Sequence, residues 1–330
     1  MPMRLGIAAM LSIASMWIAS PSHAAEPEPL ALEAKIPLGA VEGRIDHMAI
    51  DAQRQRLWLA ELGNGSVSVI DLKERKVVHR IGGLKEPQGI GYVAATDTVY
   101  VASGGDGSVR LFRAADYAPL VRIDLGNDAD NVRVDNAANR VFVGYGAGGI
   151  AVIDPAGPTK IGDIALKAHP ESFQLETDGN RIFANVPNEK AVAVLDRAAA
   201  RQISSWPMRA GANFPMAIDH VAQRVLVVFR NPARLGVFAM TDGAPVANVE
   251  ACGDSDDVFV DAKRHRVYAS CGDGHIDVFD TQAGYRRIGT VATISGARTA
   301  LFAPDVDRFI LAVRARLGEP AAIWLFRPLP

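Results

Sequence analysis

The sequence predicts an all-β protein built from seven similar units. Alternating apolar segments recur between polar and Gly-rich turns, and the first unit reads HMAIDAQRQRLWLAELGNGSVSVIDL from His47 to Leu72. The first apolar residue of each second strand anchors a period of 41 to 43 residues, with anchors at Leu57, Val99, Val141, Ile182, Val225, Val267 and Phe309. A four-stranded unit of this length cannot bury its faces without neighbours, and a ring of such units is a β-propeller. Seven anchors therefore predict seven blades.

The strand signals follow the same order in every unit except the last. Third strands such as GSVSVIDL (65–72) alternate apolar and polar residues between turn residues, which is the pattern of half-buried strands. Fourth strands such as VVHRIGG follow them. The seventh unit has no fourth strand after PAAIWLF (320–326), and the segment Leu30–Gly39 before the first unit resembles one. We therefore expect an N-terminal strand to complete the last blade and close the ring without an open edge.

The first 24 residues have the features of a signal peptide. Arg4 precedes an apolar stretch from Leu5 to Ala19, and Ser22-His23-Ala24 is a small-x-small cleavage site. The domain organisation expected is a signal peptide at 1–24 and a single seven-bladed propeller at 25–330. Cleavage after Ala24 would deliver the chain to the periplasm.

Charge and hydropathy limit the partners. The formal net charge is −2, which provides neither a broad basic face for nucleic acid nor a polybasic anchor for an anionic membrane. After the signal peptide no apolar run approaches the ~20 residues of a membrane span. We expect a monomer whose partner is a small ligand or metal, or another protein.

The two cysteines, Cys252 and Cys271, both fall in the sixth unit. One precedes the strand at 257–261 and the other ends its hairpin partner at 266–271, which brings the two sulfurs near each other in an antiparallel hairpin. An exported compartment permits a structural disulfide. Two free thiols, or a metal or redox pair without CxxC spacing, are the alternatives.

Acidic and basic residues bracket the first turn of most units. An arginine precedes six of the seven anchors, and five residues before it stands an acid in five units, as with Asp51 and Arg56. We expect these residues to pair across the turn or the acid to bind turn amides, with no role in chemistry.

The residues that lead into each innermost strand differ between units. Eleven residues before the anchors stand Asp46, Gln88, Asp130, Glu171, Phe214, Asp256 and Arg298. Ten residues before them stand His47, Gly89, Asn131, Ser172, Pro215, Asp257 and Thr299. The innermost strands converge on the central channel, so we expect both rings to surround one mouth. Repetition maintains the scaffold, whereas a ligand site needs a different group from each blade.

The first ring contains four carboxylates, from Asp46, Asp130, Glu171 and Asp256. They repel one another unless Arg298 or a bound cation balances them. Asp46, Asp130 and Glu171 are the candidate ligands of a divalent metal, and the sequence leaves the identity of any cofactor open. Oxygen ligands alone favour Ca²⁺, and adding His47 or His169 shifts the expectation toward zinc, copper or iron. These residue types are also ordinary in turns around a water-filled channel, which is the alternative interpretation.

The strings RLWLAELGNGSVSVIDL and TVYVASGGDGSVRLF resemble the YVTN or YncE-like β-propellers of exported bacterial proteins. The resemblance covers the mature chain and implies a seven-bladed ring in the periplasm. That family has no single chemistry, so the resemblance implies no mechanism.

Three functions fit these observations. The first is a non-enzymatic periplasmic binding or accessory protein that holds a small ligand or a divalent metal at the acidic mouth. Its candidate contacts are Asp46, His47, Gln88, Asp130, Asn131, Glu171, Asp256, Asp257 and Arg298. The second is a metal-assisted hydrolase or lyase of lactone type, in which Asp130 helps hold the cation and His47 or Asp256 is the general base. The third is a protein-interaction platform.

Overall fold

The computed structural model describes residues 28–316 and 318–330 of the chain. Their strands form seven four-stranded antiparallel sheets, which confirms the all-β fold and the seven blades. The expected signal peptide at 1–24 lies outside the described residues, so it stays a prediction together with the domain boundary at residue 25. Within the described ranges no helix is long and apolar enough to cross a membrane.

Each of the first four blades runs from its innermost strand to its outermost. Blade 1 contains Met48–Asp51, Arg56–Glu61, Ser66–Asp71 and Lys76–Ile81. Blade 2 contains Pro87–Val93, Thr98–Ser103, Ser108–Arg113 and Pro119–Asp124. Blade 3 contains Val132–Asp135, Arg140–Tyr145, Gly149–Asp154 and Thr159–Ala165. Blade 4 contains Ser172–Leu175, Arg181–Val186, Ala191–Asp196 and Arg201–Pro207.

The remaining blades follow the same order. Blade 5 contains Gly211–Asp219, Arg224–Asn231, Ala233–Ala239 and Pro245–Glu250. Blade 6 contains Ser255–Asp261, Arg266–Cys271, His275–Asp280 and Arg286–Ala292. Blade 7 contains Thr299–Ala303, Arg308–Val313, Ala322–Pro328 and Leu30–Pro37. Single turns of 3-10 helix occur at Leu62–Asn64, Ala94–Thr96, Pro187–Glu189 and Pro304–Val306.

Blade 7 is completed by the strand from the start of the described chain, as expected. Leu30–Pro37 pairs antiparallel with Ala322–Pro328, from Leu30 opposite Pro328 to Pro37 opposite Ala322. Ile36 of this strand is fully buried and packs in one cluster with Leu57 of blade 1 and Ile310 of blade 7. The closing strand therefore also fills the core between the first and last blades.

The cores lie between neighbouring blades rather than inside any one of them. Trp58 of blade 1 packs with Val99 of blade 2, and Phe142 of blade 3 packs with Phe173 of blade 4. Alternation along each strand places one set of side chains on each face of the blade, and both faces are covered by the adjoining sheets. No blade is able to bury its apolar residues alone.

Of the two roles expected for the first-turn acids, binding turn amides is confirmed in most units, whereas an acid–arginine pair across the turn is the exception. Glu176 binds Arg181 in this way, at 2.6 Å, but Asp51 instead binds Arg54 at 2.7 Å. The reason is the turn itself, because Asp51 Oδ1 accepts the backbone N–H of Arg54 and so faces into the turn. The same turn-capping bond recurs at Asp135, Asp219 and Asp261.

Cys252 and Cys271 form a disulfide, as expected from the hairpin. Their Cα atoms are 5.8 Å apart and both side chains are buried. The bridge joins the segment that leads into the innermost strand of blade 6 to the end of its second strand. Neither sulfur is a free thiol in this state.

Candidate functional site

The innermost strands of neighbouring blades begin at one mouth of the central channel, where a cavity of about 100 Å³ lies among them. The two aligned rings line it with Asp46, His47, Gln88, Asp130, Asn131, Glu171, Asp256 and Asp257. Arg298, the ninth residue predicted for the site, does not line the cavity and instead binds Asp256. One water needs ~10–15 Å³, so the cavity has room for several waters or one small ligand.

Equivalent backbone bonds bring these side chains to the same level. The backbone N–H groups of Asp46 and Asp130 donate to carbonyls of their own second strands, at 2.8 and 2.9 Å. Glu171 makes the corresponding bond to Asn185 at 3.1 Å. The repeated hairpin therefore delivers an unlike side chain from each blade to the same height in the ring.

Glycine at position 89 allows the innermost strands of blades 2 and 3 to approach closely. A Cβ at Gly89 would lie 1.9 Å from the backbone oxygen of Asp130. Gly89 belongs to the second ring. Because it has no side chain, the backbone of Asp130 is able to lie against it, and this contact fixes the position of Asp130 at the mouth.

Two histidines stand beside Asp130. His47 Nε2 is 4.0 Å from Asp130 Oδ1 and 3.6 Å from Asp46 Oδ1, and its Nδ1 is 3.9 Å from Asp257 Oδ1. His169 Nε2 is 4.0 Å from Asp130 Oδ2, while its Nδ1 donates to the carbonyl of Gly146 at 2.7 Å. The imidazoles and the carboxylates therefore share one electrostatic cluster.

Burial and neighbouring charges shift the titration of this cluster. Burial raises the pKa of Asp46 to about 6, against the opposing effect of His47, and raises the pKa of Asp257 to about 7. Burial and then Asp130 raise the pKa of Glu171. Burial lowers the pKa of His169, but Asp130 and the Gly146 carbonyl outweigh it and raise that pKa to about 9.

His47 also favours its protonated form. Burial lowers its pKa, yet the carboxylates of Asp46, Asp257 and Asp130 together raise that pKa above the ordinary value. Both histidines at the mouth thus hold protons more tightly than free imidazole does.

Asp256 is neutralised by arginines from two other parts of the ring. Arg230, at the end of the second strand of blade 5, donates to Asp256 Oδ1 and lies 4.2 Å from the centroid of Phe214. Arg298 places Nε 2.9 Å from Asp256 Oδ2. Arg44 serves Asp46 in the same way at 3.0 Å. The acidic ring of the sequence is therefore internally balanced over much of its circumference.

Some buried acceptors at the mouth receive no hydrogen bond from the described residues, although His47 and His169 lie 4.0 Å from the Asp130 carboxylate. Asp130 is 8% exposed and Asn131 is 1% exposed, and their Oδ1 atoms are buried without a hydrogen bond. Within the same part of the chain Glu171 makes no ion pair within 4.0 Å, whereas Asp46 and Asp256 each do. Buried acceptors without donors are uncommon in folded proteins and indicate a water, an ion or a ligand.

The proposed metal ligands are present at the mouth but do not converge in the way a bound ion requires. In the described part of the chain, three ligand atoms lie within 4.8 Å of one another only at Cys252, Cys271 and Asp273, where the sulfurs are in the disulfide. Asp46, Asp130 and Glu171 do not form such a group, and the His47 imidazole stands next to the first two. Metal binding at these residues stays a prediction.

Arg133 and Gln174 also line the cavity, although neither is in the two aligned rings. Both stand eight residues before their anchors, on the same strand face as the second ring. The other residues at this position are Ala49, Gly91, Ala217, Phe259 and Leu301. The positions eight residues before the anchors therefore form a third ring, and comparing the repeats at this ring would have found Arg133 and Gln174.

The fold and the mouth define a seven-bladed β-propeller with a polar cavity at its hub. The sequence matches no protein-family model and no curated protein. Among solved structures it is similar to Kuenenia stuttgartiensis Hydrazine Synthase, with a TM-score of 0.71 at 14% identity over 90% of this chain and 96% of that one. At this identity the likeness supports the fold alone, and membership of the YVTN or YncE-like family stays a prediction.

Proposed function

We propose that this chain is a β-propeller binding or accessory protein of the periplasm, which holds a small polar ligand or a divalent cation in the mouth cavity. The observation that carries the proposal is a set of acceptors in one cavity wall that receive no hydrogen bond from the described residues: Asp130 Oδ1, Asn131 Oδ1 and the Glu171 carboxylate. Oxygen acceptors are satisfied by a cation or by a group that donates hydrogen bonds.

The size of the cavity favours a ligand of a few heavy atoms. Pockets for drug-sized molecules are ~300–1,000 Å³, whereas this one is about 100 Å³. Most of the exposed large apolar side chains are divided among the outermost strands of different blades: Leu32, Leu120, Val121, Ile161, Ile203 and Val246. The remaining one, Val221, lies in a turn of blade 5. This scatter offers less support for a protein-interaction platform than the cavity offers for a small ligand.

The charge pairing favours binding over hydrolysis. Of the two candidate bases, Asp256 is engaged by two arginines, and His47 has three carboxylates within 4.0 Å of its ring nitrogens. A general base must be free to accept a proton. A metal-assisted hydrolase of lactone type remains the alternative to be tested.

The test uses chelator-treated protein and isothermal titration with Ca²⁺, Zn²⁺, Mn²⁺, Cu²⁺ and ethylamine. We expect at least one of these probes to bind in a 1:1 ratio, and Asp130→Asn to weaken it at least tenfold. The matched control is Asp116→Asn, which changes an exposed carboxylate in the hairpin of blade 2. Absence of binding by every probe, or equal loss in both variants, would overturn the proposal.

An assay on lactones and esters, with and without chelator, tests the alternative. Turnover that is sensitive to chelator and disappears in Asp130→Asn would show that the chain is a hydrolase and not only a binding protein. We expect no turnover.

A further inference from the structure

Arg133 is an arginine in the cavity wall that has no anionic partner among the described residues. Its Nη1 donates to the carbonyl of Val132 at 2.9 Å, and the ring of Phe173 lies 5.6 Å away. No carboxylate of the described ranges pairs with it within 4.0 Å. The other arginines at the mouth, Arg44, Arg230 and Arg298, each bind at least one carboxylate.

Arg133 lies inside the channel mouth, where a guanidinium without a carboxylate partner is energetically unfavourable. Removal from water lowers its pKa, against the attraction of the more distant Asp257 and Asp130. A guanidinium has five N–H donors in a planar fork that matches a carboxylate. One of the five is used by Val132, and the fork is available to an anion in the cavity.

The same cavity wall therefore carries both an arginine without a carboxylate partner and acceptors without a hydrogen-bond donor. Arg133 offers donors and a positive charge, while Asp130, Asn131 and Glu171 offer acceptors and negative charge. A divalent cation would satisfy the acceptors but would add positive charge beside Arg133. A simple anion would pair with Arg133 but would face the acidic ring.

We infer that the ligand is a small zwitterion of the amino-acid class, whose carboxylate binds Arg133 and whose ammonium group binds the acceptors of Asp130, Asn131 and Glu171. This inference rests on the proposed function of the mouth as a ligand site. Such a ligand is neutral overall, so it offers one opposite charge to Arg133 and one to the acidic acceptors without adding net charge to the mouth. Its few heavy atoms also suit a cavity of about 100 Å³.

The experiment compares probes that carry both charges with probes that carry one. Glycine, L-alanine, L-serine and β-alanine are titrated calorimetrically beside ethylamine and propionate, all into chelator-treated protein. We expect at least one zwitterion to bind tenfold or more tightly than both single-charge probes. This comparison needs only the unmodified protein, so it holds even where a variant fails to fold.

Two variants then assign the ends of the ligand. Arg133→Gln is expected to lower zwitterion affinity at least tenfold, to the level of ethylamine, and to leave ethylamine binding unchanged. Glu171→Gln is expected to weaken the zwitterion and ethylamine alike. Arg286→Gln, on the exposed outermost strand of blade 6, is the matched control and should change neither.

The results distinguish failure of the zwitterion inference from failure of the proposed binding function. Zwitterions that bind no more tightly than ethylamine would overturn the inference, while ethylamine or metal binding that depends on Asp130 would leave the mouth a binding site. Failure of every probe, metals included, would overturn both.

Discussion

Arg264 and Asp307 join blade 6 to blade 7 through two parallel hydrogen bonds, Nη1 to Oδ1 and Nη2 to Oδ2, each 2.7 Å long. These bonds hold the pKa of Asp307 well below its usual range. Arg264 also donates to Asp261 at 3.0 Å, so one largely buried guanidinium links the turn of one blade to the next.

Replacing Arg264 by lysine keeps the charge but removes the fork. We expect Arg264→Lys to lower the free energy of unfolding by about 1–2 kcal/mol, because an ammonium group cannot make both parallel bonds. Urea denaturation measures the change. The control is Lys263→Ala, which removes a 70% exposed partner of the same Asp307 and should cost less than ~0.5 kcal/mol. Equal effects of the two changes would show that the fork has no special role.

The closing strand offers a matched pair of core and surface positions. Ile36 is fully buried between blades 7 and 1, whereas Leu32 of the same strand is 46% exposed. Ile36→Ala should destabilise the protein by about 2–5 kcal/mol through lost burial and a residual cavity. Leu32→Ala should cost less than ~1 kcal/mol. Thermal unfolding curves test both substitutions. If deletion of residues 28–38 left the melting temperature unchanged, the closure of the ring by this strand would be contradicted.

The disulfide should stabilise the fold by restricting the unfolded chain. Cys252 and Cys271 are 19 residues apart, for which the chain-entropy treatment gives ~3 kcal/mol. Reductant should therefore lower the urea midpoint of the wild-type protein. The double variant Cys252→Ala/Cys271→Ala should start near that lower midpoint and not respond to reductant. A wild-type midpoint that ignores complete reduction would refute this contribution.

His169 should make stability fall at alkaline pH. Its pKa is about 9 in the folded protein, against an ordinary value of 6.5 that applies to the unfolded chain. The folded state therefore holds the proton more tightly, and this contribution is complete below pH 6.5 and lost as the pH rises through 9. We expect a loss on the order of 1–3 kcal/mol across this interval, measured by urea unfolding with chelator present.

His169→Gln should remove most of that slope, because glutamine does not titrate. His265→Asn changes an exposed histidine in a turn of blade 6 and leaves the slope in place. A slope of the same size in the His169 variant would assign it to other groups.

Gly89 should not tolerate even one methyl group. The new Cβ of Gly89→Ala would meet the backbone oxygen of Asp130 at 1.9 Å, so the two innermost strands must separate. We expect a loss of about 1–3 kcal/mol in unfolding free energy, typical of overpacking. Binding at the mouth should also weaken, because Asp130 moves.

Gly82→Ala is the control, since its Cβ meets nothing within 4 Å. It should be neutral or stabilising by up to ~1 kcal/mol, because alanine restricts the unfolded chain. Equal stability of the two variants would show that the blades adjust without strain.

The architecture could be predicted because it depends on spacing alone. A period near 42 residues and a missing fourth strand specify both the blade count and the closing strand, since each blade must bury its faces against others. The same alignment leads to eight of the nine expected site residues in one cavity wall. Arg298 is the exception, because its side chain turns toward Asp254 and Asp256.

The pairing of charges at the mouth could not be predicted in the same way. Arg230 reaches Asp256 from a neighbouring blade, and such a contact depends on side-chain reach between blades rather than on position within a repeat. Arg133 is isolated for the same reason, because Asp257 and Asp130 attract it only from a distance. The sequence therefore indicates where charges gather, and the structure determines which of them remain unpaired.

We expect the strand Leu30–Pro37 to divide the assembly of the ring into two stages. In blades 1 to 6 every strand pairs with one that is adjacent in sequence, so these sheets require only short loops. The seam of blade 7 joins segments as far apart as Glu33 and Arg327, which are 294 residues apart. Loop-closure entropy and vectorial synthesis both delay such a contact. Until the strands of blade 7 are made and pair with Leu30–Pro37, Leu57 at the edge of blade 1 lacks the cover that Ile310 gives it. We therefore expect the chain to be most prone to aggregation in the interval before the seam closes.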